Sequence, residues 1–327
     1  MFDFTLMLQN AIHVLVFPGI LYVVVVGLLL AGLDRKILAR MQKRKGPPVL
    51  QPTYDFFKLM GKETIIPHAA NKWAFLGAPI LGFVSLVVLM LFLPVAGYKA
   101  PIETNGDLVI ILYLLTIPAV AMIIGGSASG SPFAGIGISR EMVAMMAYEL
   151  PLVLVLLAVA KKVGGNELCF SLTNIVSAQE GGNLLITNWA LIPAAIAMLF
   201  VIPAEVGTQP FDVAEAETEI CEGPLVEYSG APLAVFKLNT AIKMFVMTVL
   251  FSILFLGGIN LGLGTEWYFI LLNVVVLIVV CALITFVCMT FTHAICARLK
   301  IEHMFKFYWT FVTALAAISL ILVWCGL

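Results

Sequence analysis

The sequence predicts an all-α, polytopic integral membrane protein, with eight transmembrane helices in a single membrane domain (residues 1–327) and both termini outside. Three observations carry this expectation. The chain is 62% hydrophobic and 11% charged, whereas soluble domains are about half apolar and about a quarter charged. Its apolar residues gather into eight runs, at 14–33, 75–95, 108–124, 142–160, 184–203, 233–256, 268–290 and 307–324. Each is near the roughly 20 residues needed to cross about 30 Å of hydrocarbon. Its basic residues are segregated between the connecting loops. Lipid offers backbone N–H and C=O groups no partner, so each run closes its hydrogen bonds internally as a helix. The alternating segments of a membrane barrel are absent.

Residues 1–13 contain no Lys or Arg, and no signal-peptide cleavage pattern follows the first run, so that run is expected to stay in the mature protein. The next loop, 34–72, holds nine of the chain's 18 Lys and Arg residues, and the loops after the third and seventh runs hold Arg140 and Arg298, Lys300 and Lys306. The opposite side carries Lys99, Lys161 and Lys162. By the positive-inside rule the basic loops are cytoplasmic. The 34–72 loop reads as a docking surface built from Arg35, Arg40, Arg44, Lys45, Gln51, Asp55, Lys58, Lys62 and Glu63, with Arg140 from the third loop. A rigid Gly46-Pro47-Pro48 turn gives it a fixed shape, and Pro52 opens a short amphipathic helix. An interfacial helix turning its lysines toward anionic headgroups accounts for the same pattern. The stretch 125–140, rich in Gly and Ser, reads as irregular backbone beside the membrane.

The cytoplasmic loop 204–232 is acidic. It carries Glu205, Asp212, Glu215, Glu217, Glu219, Glu222 and Glu227, and no Lys or Arg. If 212–222 is helical, Asp212, Glu215, Glu219 and Glu222 fall within about 80° of one face. Asp212 and Glu215 also fit a capping box after Pro210. Crowded carboxylates repel one another and burial raises their pKa values further. They therefore suit either a proton entry path or an acidic partner-binding face. Within the apolar runs, Glu141 and Glu149 in the fourth and Lys243 in the sixth are costly to bury. Lys243 either snorkels, pairs with Glu149, or joins it in a proton relay. Pro118, Pro193 and Pro203 are placed to break the third and fifth helices.

The six cysteines are scattered without a CxxC pair, so no zinc or iron–sulfur site is expected in this chain. Cys281 and Cys288 read as packing on one helix face. Walker and Rossmann glycine patterns are missing.

Three ordered patterns then carry a resemblance. They are Gly46-Pro47-Pro48-Val49-Leu50-Gln51-Pro52 with Asp55, Lys58 and Lys62-Glu63; Arg140 followed by Tyr148-Glu149; and Ala204-Glu205, Pro210-Phe211-Asp212, Glu215, Glu217, Glu219 and Val226-Glu227-Tyr228. Together they resemble the NADH dehydrogenase subunit 1 family, the membrane subunit joining the soluble and pumping arms of respiratory complex I. The first loop is shorter than in quinone-reducing members, Thr208 stands where those members carry Arg, and Thr240 stands where they tend to place Glu. The Gly-Pro-Pro form and the Arg140-Glu141 pair look more like the anchor subunits of energy-converting nickel–iron hydrogenases, of the formate hydrogenlyase and ferredoxin-dependent types.

The resemblance implies a multi-pass protein of a prokaryotic cell membrane, with no catalytic residue, metal or redox centre of its own. Large and small hydrogenase subunits carrying nickel–iron and iron–sulfur centres would dock on its loops, and antiporter-like subunits would sit beside it in the lipid. No nucleic-acid partner is expected. Its role would be to couple hydrogen evolution to proton or sodium movement through Glu141, Glu149, Lys243 and the carboxylates of 204–232. A sulfur-reducing or quinone-reducing complex of the same kind, a free-standing ion transporter and a purely structural anchor are the alternatives.

Overall fold

The computed structural model describes residues 14–95, 97–98, 100–165, 167–179, 184–259 and 267–326. Residues 1–13 and Lys99, both used in the orientation argument, lie outside the described residues, as does the side chain of Glu217. The described chain is helical, with an isolated Val95–Tyr98 bridge. Its helices are α1 (Ile20–Met41), α2 (Gln51–Met60), α3 (Lys72–Phe92), α4 (Asp107–Ser129), α5 (Pro132–Gly164), α6 (Leu172–Gln179), α7 (Ile192–Val206) and α8 (Gly230–Leu256). Then come α9 (Trp267–Thr285), prolonged by a π turn Phe286–Thr290 and by Phe291–Ile295, and α10 (Ile301–Phe307), prolonged by Tyr308–Val312 and Thr313–Trp324.

Among the described residues, six helices are long and apolar enough to cross a membrane: α3, α4, α5, α8, Leu271–Ile295 of α9 and Ile301–Trp324 of α10. The first and fifth apolar runs are occupied by α1 and α7. α1 has 22 residues but carries Asp34, Arg35, Lys36 and Arg40 in its second half, and α7 has 15 residues.

α8 is the hub, packing against α1, α2, α3, α7 and α9. It is buried almost all round, as expected of a helix that is apolar on every face. α5 packs against α4, α7 and α10, and at 33 residues it extends about 50 Å, longer than the hydrocarbon is thick. Cys281 and Cys288 are both buried, consistent with the packing role expected of them.

The structure corrects three local expectations. The stretch 125–140 is not irregular backbone: α4 continues to Ser129, Gly130 ends it in the left-handed conformation, and Pro132 opens α5. Glycine after the last turn and proline in the first are the ordinary stop and start signals. The glycines and serines serve close packing, and Ser129 donates back to the Gly126 carbonyl at 2.6 Å. The prolines also leave their helices unbroken. Pro118 and Pro203 lie inside α4 and α7, and Pro193 sits in the opening turn of α7. Finally, 212–222 is not one helix but a single turn, Glu217–Ile220. Cys221, Glu222 and Gly223 then have φ of 50°, 68° and 50°, which reverses the chain. Gly223 is required there, because a Cβ would collide with the Ala214 carbonyl.

α2 runs where Pro52 predicted. Its neighbouring turn can lie against α1 because Gly32 has no side chain to strike the Val49 carbonyl. The 207–229 segment is anchored to the bundle by Tyr228, which stacks on Phe75 with centroids 4.0 Å apart. The Tyr228 hydroxyl donates to the Phe75 carbonyl at 3.0 Å. Pro79, inside α3, has no N–H for the carbonyl four residues earlier, so Tyr228 supplies the donor that α3 lacks. Replacing Tyr228 with Phe is expected to lower stability by about 1–2 kcal/mol. The same replacement in a Pro79→Ala background, where the helical N–H is restored, is expected to cost much less. Thermal unfolding of the four proteins in detergent tests this coupling.

Candidate functional site

The site is built around Lys243, about 20 Å of rise along α8 from Gly230. Its ammonium lies 2.8 Å from Oε1 of Glu205, with side-chain exposures of 8% and 2%. Glu205 occupies the last turn of α7, which Gly207 terminates in the left-handed conformation. A carboxylate there meets the negative end of the helix dipole, so Lys243 offsets the desolvation of Glu205 and that repulsion together. The sequence left Lys243 open to snorkelling or to pairing with Glu149. The observed partner is Glu205, because the end of α7 packs directly on α8. Glu149 stays on α5, partly exposed and within electrostatic range of both.

A cavity of about 40 Å³ lies against the pair, and Glu141, Asp212, Glu215 and Thr240 reach its walls. One water needs roughly 10–15 Å³ of such space, so the cavity has room for a few waters among four carboxylates and one lysine. Tyr148, which the sequence marks only as part of a motif, is buried with its hydroxyl unpartnered among the described residues. It lies within electrostatic range of Glu205, Glu141 and Glu149.

The acidic loop is held by two arginines from outside it. Arg298 grips Asp212 with two bonds, Nε to Oδ1 at 2.9 Å and the terminal nitrogen to Oδ2 at 2.6 Å. That pairing replaces the expected capping box. Arg140 reaches Glu219 at 2.5 Å and the Val213 carbonyl at 3.4 Å. It is therefore turned onto the loop. Glu222 is partly buried at the chain reversal and Glu227 is exposed. Burial pushes the Glu215 carboxyl up to about 7, with Glu141, Asp212 and Glu222 adding repulsion and Lys237 partly opposing it. Glu215 can therefore exchange a proton near neutral pH where the acidic loop meets the cavity.

The expected docking residues surround α2. Arg40, Arg44, Lys45, Lys58, Lys62 and Glu63 are exposed. Arg35 bonds Asp55 at 3.2 Å, and Gln51 donates to the same carboxylate at 3.1 Å. Behind α2 opens a second, larger cavity of about 380 Å³ between α1, α2 and α8, and Thr240 and Val206 form walls of both cavities. Among the described residues no group of three or more His, Cys, Asp or Glu side chains is placed to hold a metal ion. Sequence reasoning did not single out Arg298 for the site or Asp34, which accepts a 2.6 Å bond from Thr290 in the π turn of α9. No local signal marks either, since both partners are distant in the chain.

The profile of a family described as NADH dehydrogenase matches residues 12–324. The chain is 34% identical over 264 residues to the NADH-ubiquinone oxidoreductase chain 1 of Dictyostelium citrinum, covering 77% of this chain and 80% of that one. It is 37% identical over 228 residues to Hydrogenase-4 component C of Escherichia coli (strain K12), covering 70% of each. Among solved structures it is similar to a chain of the membrane-bound sulfane sulfur reductase, an archaeal respiratory membrane complex, with TM-score 0.86 and 31% identity over 98% of this chain and 99% of that one.

The raised pKa of Glu215 sets a pH dependence. A group whose folded pKa lies above its unfolded value stabilises the fold most below the unfolded value, near 4.5, and that stability is lost as pH rises through about 7. Glu215→Gln removes the loss. The variant is expected to gain roughly 3 kcal/mol on the wild type between those limits, with parallel curves outside them. Unfolding midpoints of both proteins across that range test it.

Proposed function

The chain belongs to the NADH dehydrogenase subunit 1 family, and on that premise we propose that it is the membrane anchor and coupling subunit of an energy-converting hydrogenase complex. In this reading it crosses the cell membrane eight times, α1 and α7 included, with both termini outside. A nickel–iron large subunit and an iron–sulfur small subunit dock on α2 and the 207–229 segment, and antiporter-like subunits flank it in the membrane. The redox centres belong to those partners. This chain links their hydrogen evolution to movement of protons or sodium ions.

The observation that carries the reading is the buried Glu205–Lys243 pair at the end of a file of carboxylates. A proton taken up by Glu215 reaches the cavity waters and then Glu141 or Glu205. Neutralising Glu205 deprives Lys243 of its counterion in a setting where an unpaired charge is costly. Lys243 then favours an ionised Glu141 or Glu149, both within its electrostatic range. The pair is thus a two-state element. Movement of the loop pinned by Arg140 and Arg298 biases it, and that loop is where a docked soluble arm presses.

The hydrogenase assignment is supported by the short Gly46-Pro47-Pro48 loop, by Thr208 and Thr240 in place of the Arg and Glu of quinone-reducing relatives, and by the similarity to Hydrogenase-4 component C. A second reading, the same coupling role in a sulfur-reducing complex, is favoured by the full-length likeness to the sulfane sulfur reductase chain.

Mass spectrometry of what co-purifies with the chain in mild detergent separates the two. The expected outcome is a large subunit with two nickel-binding cysteine pairs. A large subunit lacking them transfers the role to sulfur or quinone reduction, and a chain that purifies alone and transports ions defeats both readings. Coupling is tested in vesicles. Glu149→Gln is expected to lower ion uptake per hydrogen evolved, and undiminished uptake would remove Glu149 from the path. Lys243→Met or Glu205→Gln alone strands or unbalances a buried charge, at about 3–5 kcal/mol of stability. The double variant is expected to regain most of that stability and still fail to couple.

A further inference from the structure

The cavity of about 380 Å³ between α1, α2 and α8 is graded from charge to apolar surface. Arg35, Lys58, Lys62 and Lys237 surround one end, and Leu28, Ala31 and Met244 line the other. Leu28 lies seven residues before Arg35 on α1, and Met244 seven after Lys237 on α8. Each step is about 10 Å along a helix, so both walls change from cationic to apolar in the same direction. The two carboxylates on the lining are already engaged: Asp55 by Arg35 at 3.2 Å and Asp34 by Thr290 at 2.6 Å. Among the described residues Lys58, Lys62 and Lys237 form no salt bridge, and all three are exposed.

The roof of the cavity points to the depth at which an occupant sits. α2 turns Pro52, Phe56 and Leu59 toward the cavity, while Tyr54 and Phe57 on its outer side are 57% and 67% exposed. Trp73, at the start of α3, is 91% exposed. A helix with apolar aromatic residues outward and lysines at its edge lies in the plane of lipid headgroups, and exposed Trp and Tyr mark the same level. The lysines at the cavity mouth therefore stand at headgroup depth and its apolar end at acyl depth.

We propose that this cavity is a binding site for one anionic phospholipid. The phosphate sits between Lys58, Lys62 and Lys237, and the start of one acyl chain lies between Leu28, Ala31 and Met244. Lysine ammoniums hold a phosphate as point charges, and several of them beside a membrane helix select anionic over zwitterionic lipid. The lipid fills the space between α1 and α8 beneath the docking helix. The proposal is independent of the coupling role, and its readout is lipid retention rather than ion transport.

The test uses the intact membrane complex, purified in mild detergent and titrated with dioleoylphosphatidylglycerol or dioleoylphosphatidylcholine in native mass spectrometry. One phosphatidylglycerol is expected to remain bound at concentrations where phosphatidylcholine is lost. Lys58→Gln/Lys62→Gln/Lys237→Gln is expected to weaken its retention at least about tenfold, while Lys161→Gln/Lys162→Gln, at the far end of α5, leaves it unchanged. Ala31→Leu keeps every charge, narrows the apolar end and is expected to weaken retention as well, which holds the test open if the triple variant fails to assemble. Equal retention of the two lipids, or unchanged retention in both cavity variants, overturns the proposal. So does displacement of the lipid by millimolar inorganic phosphate or by decylubiquinone, which would assign the cavity to a free anion or to a quinone.

Discussion

Glu205 and Lys243 lie 2.8 Å apart where each alone would be intolerable. Burial, the end of the α7 dipole and the apolar surface of α8 all act against Glu205, and the same burial acts against Lys243. Their proximity therefore requires α7 to end where it does and to pack on the middle of α8. That constraint reaches outward. Gly207 must stop α7, the following segment must double back over the cavity, and Arg298 must arrive from the region after α9 to hold Asp212. α8 is the central helix and Lys243 its one charged residue at that depth, so the bundle and the site share a single arrangement.

The acidic loop illustrates how electrostatics and packing divide the work. Its carboxylates have no basic neighbour in the loop itself, yet they do not share one environment. Asp212 and Glu219 are neutralised by Arg298 and Arg140 and serve as tethers. Glu215 is left among Glu141, Asp212 and Glu222 and is raised to about 7. Residues of one type, spaced closely in sequence, thus have different roles: Asp212 and Glu219 hold the loop through their arginines, while burial and neighbouring carboxylates raise Glu215 to about 7. The Tyr228 bond to the carbonyl that Pro79 leaves without a helical donor fixes the far end of the same loop. Loop position and proton affinity are therefore linked through a handful of contacts.

Much of the architecture was legible in the chain. Apolar runs longer than any soluble core requires identify membrane helices, because lipid demands internal hydrogen bonding. Pro52 located α2, and Gly130 with Pro132 mark a helix boundary by backbone geometry alone, although the surrounding Gly and Ser content suggested a loop. That misreading has a plain cause: small residues serve close helix packing as readily as irregular backbone. The supposed 212–222 helix failed for another reason. Helical spacing of carboxylates is only a periodicity, and the strained reversal at Cys221, Glu222 and Gly223 depends on contact with Ala214, which no local pattern records.

Composition, the spacing of apolar residues and the segregation of Lys and Arg determined from sequence alone that this is a helical membrane protein with one basic and one acidic loop. The ordered motifs determined its family. These are properties of short segments and of totals, which a chain displays without folding. Which charges meet was decided only by the tertiary structure. Lys243 chose Glu205 over Glu149, Arg140 turned to Glu219, Arg298 came to Asp212 and Thr290 to Asp34, each across a long stretch of sequence. A buried charge takes whichever opposite charge the packing of helices brings within a few ångströms, and that distance exists only once the helices are in place.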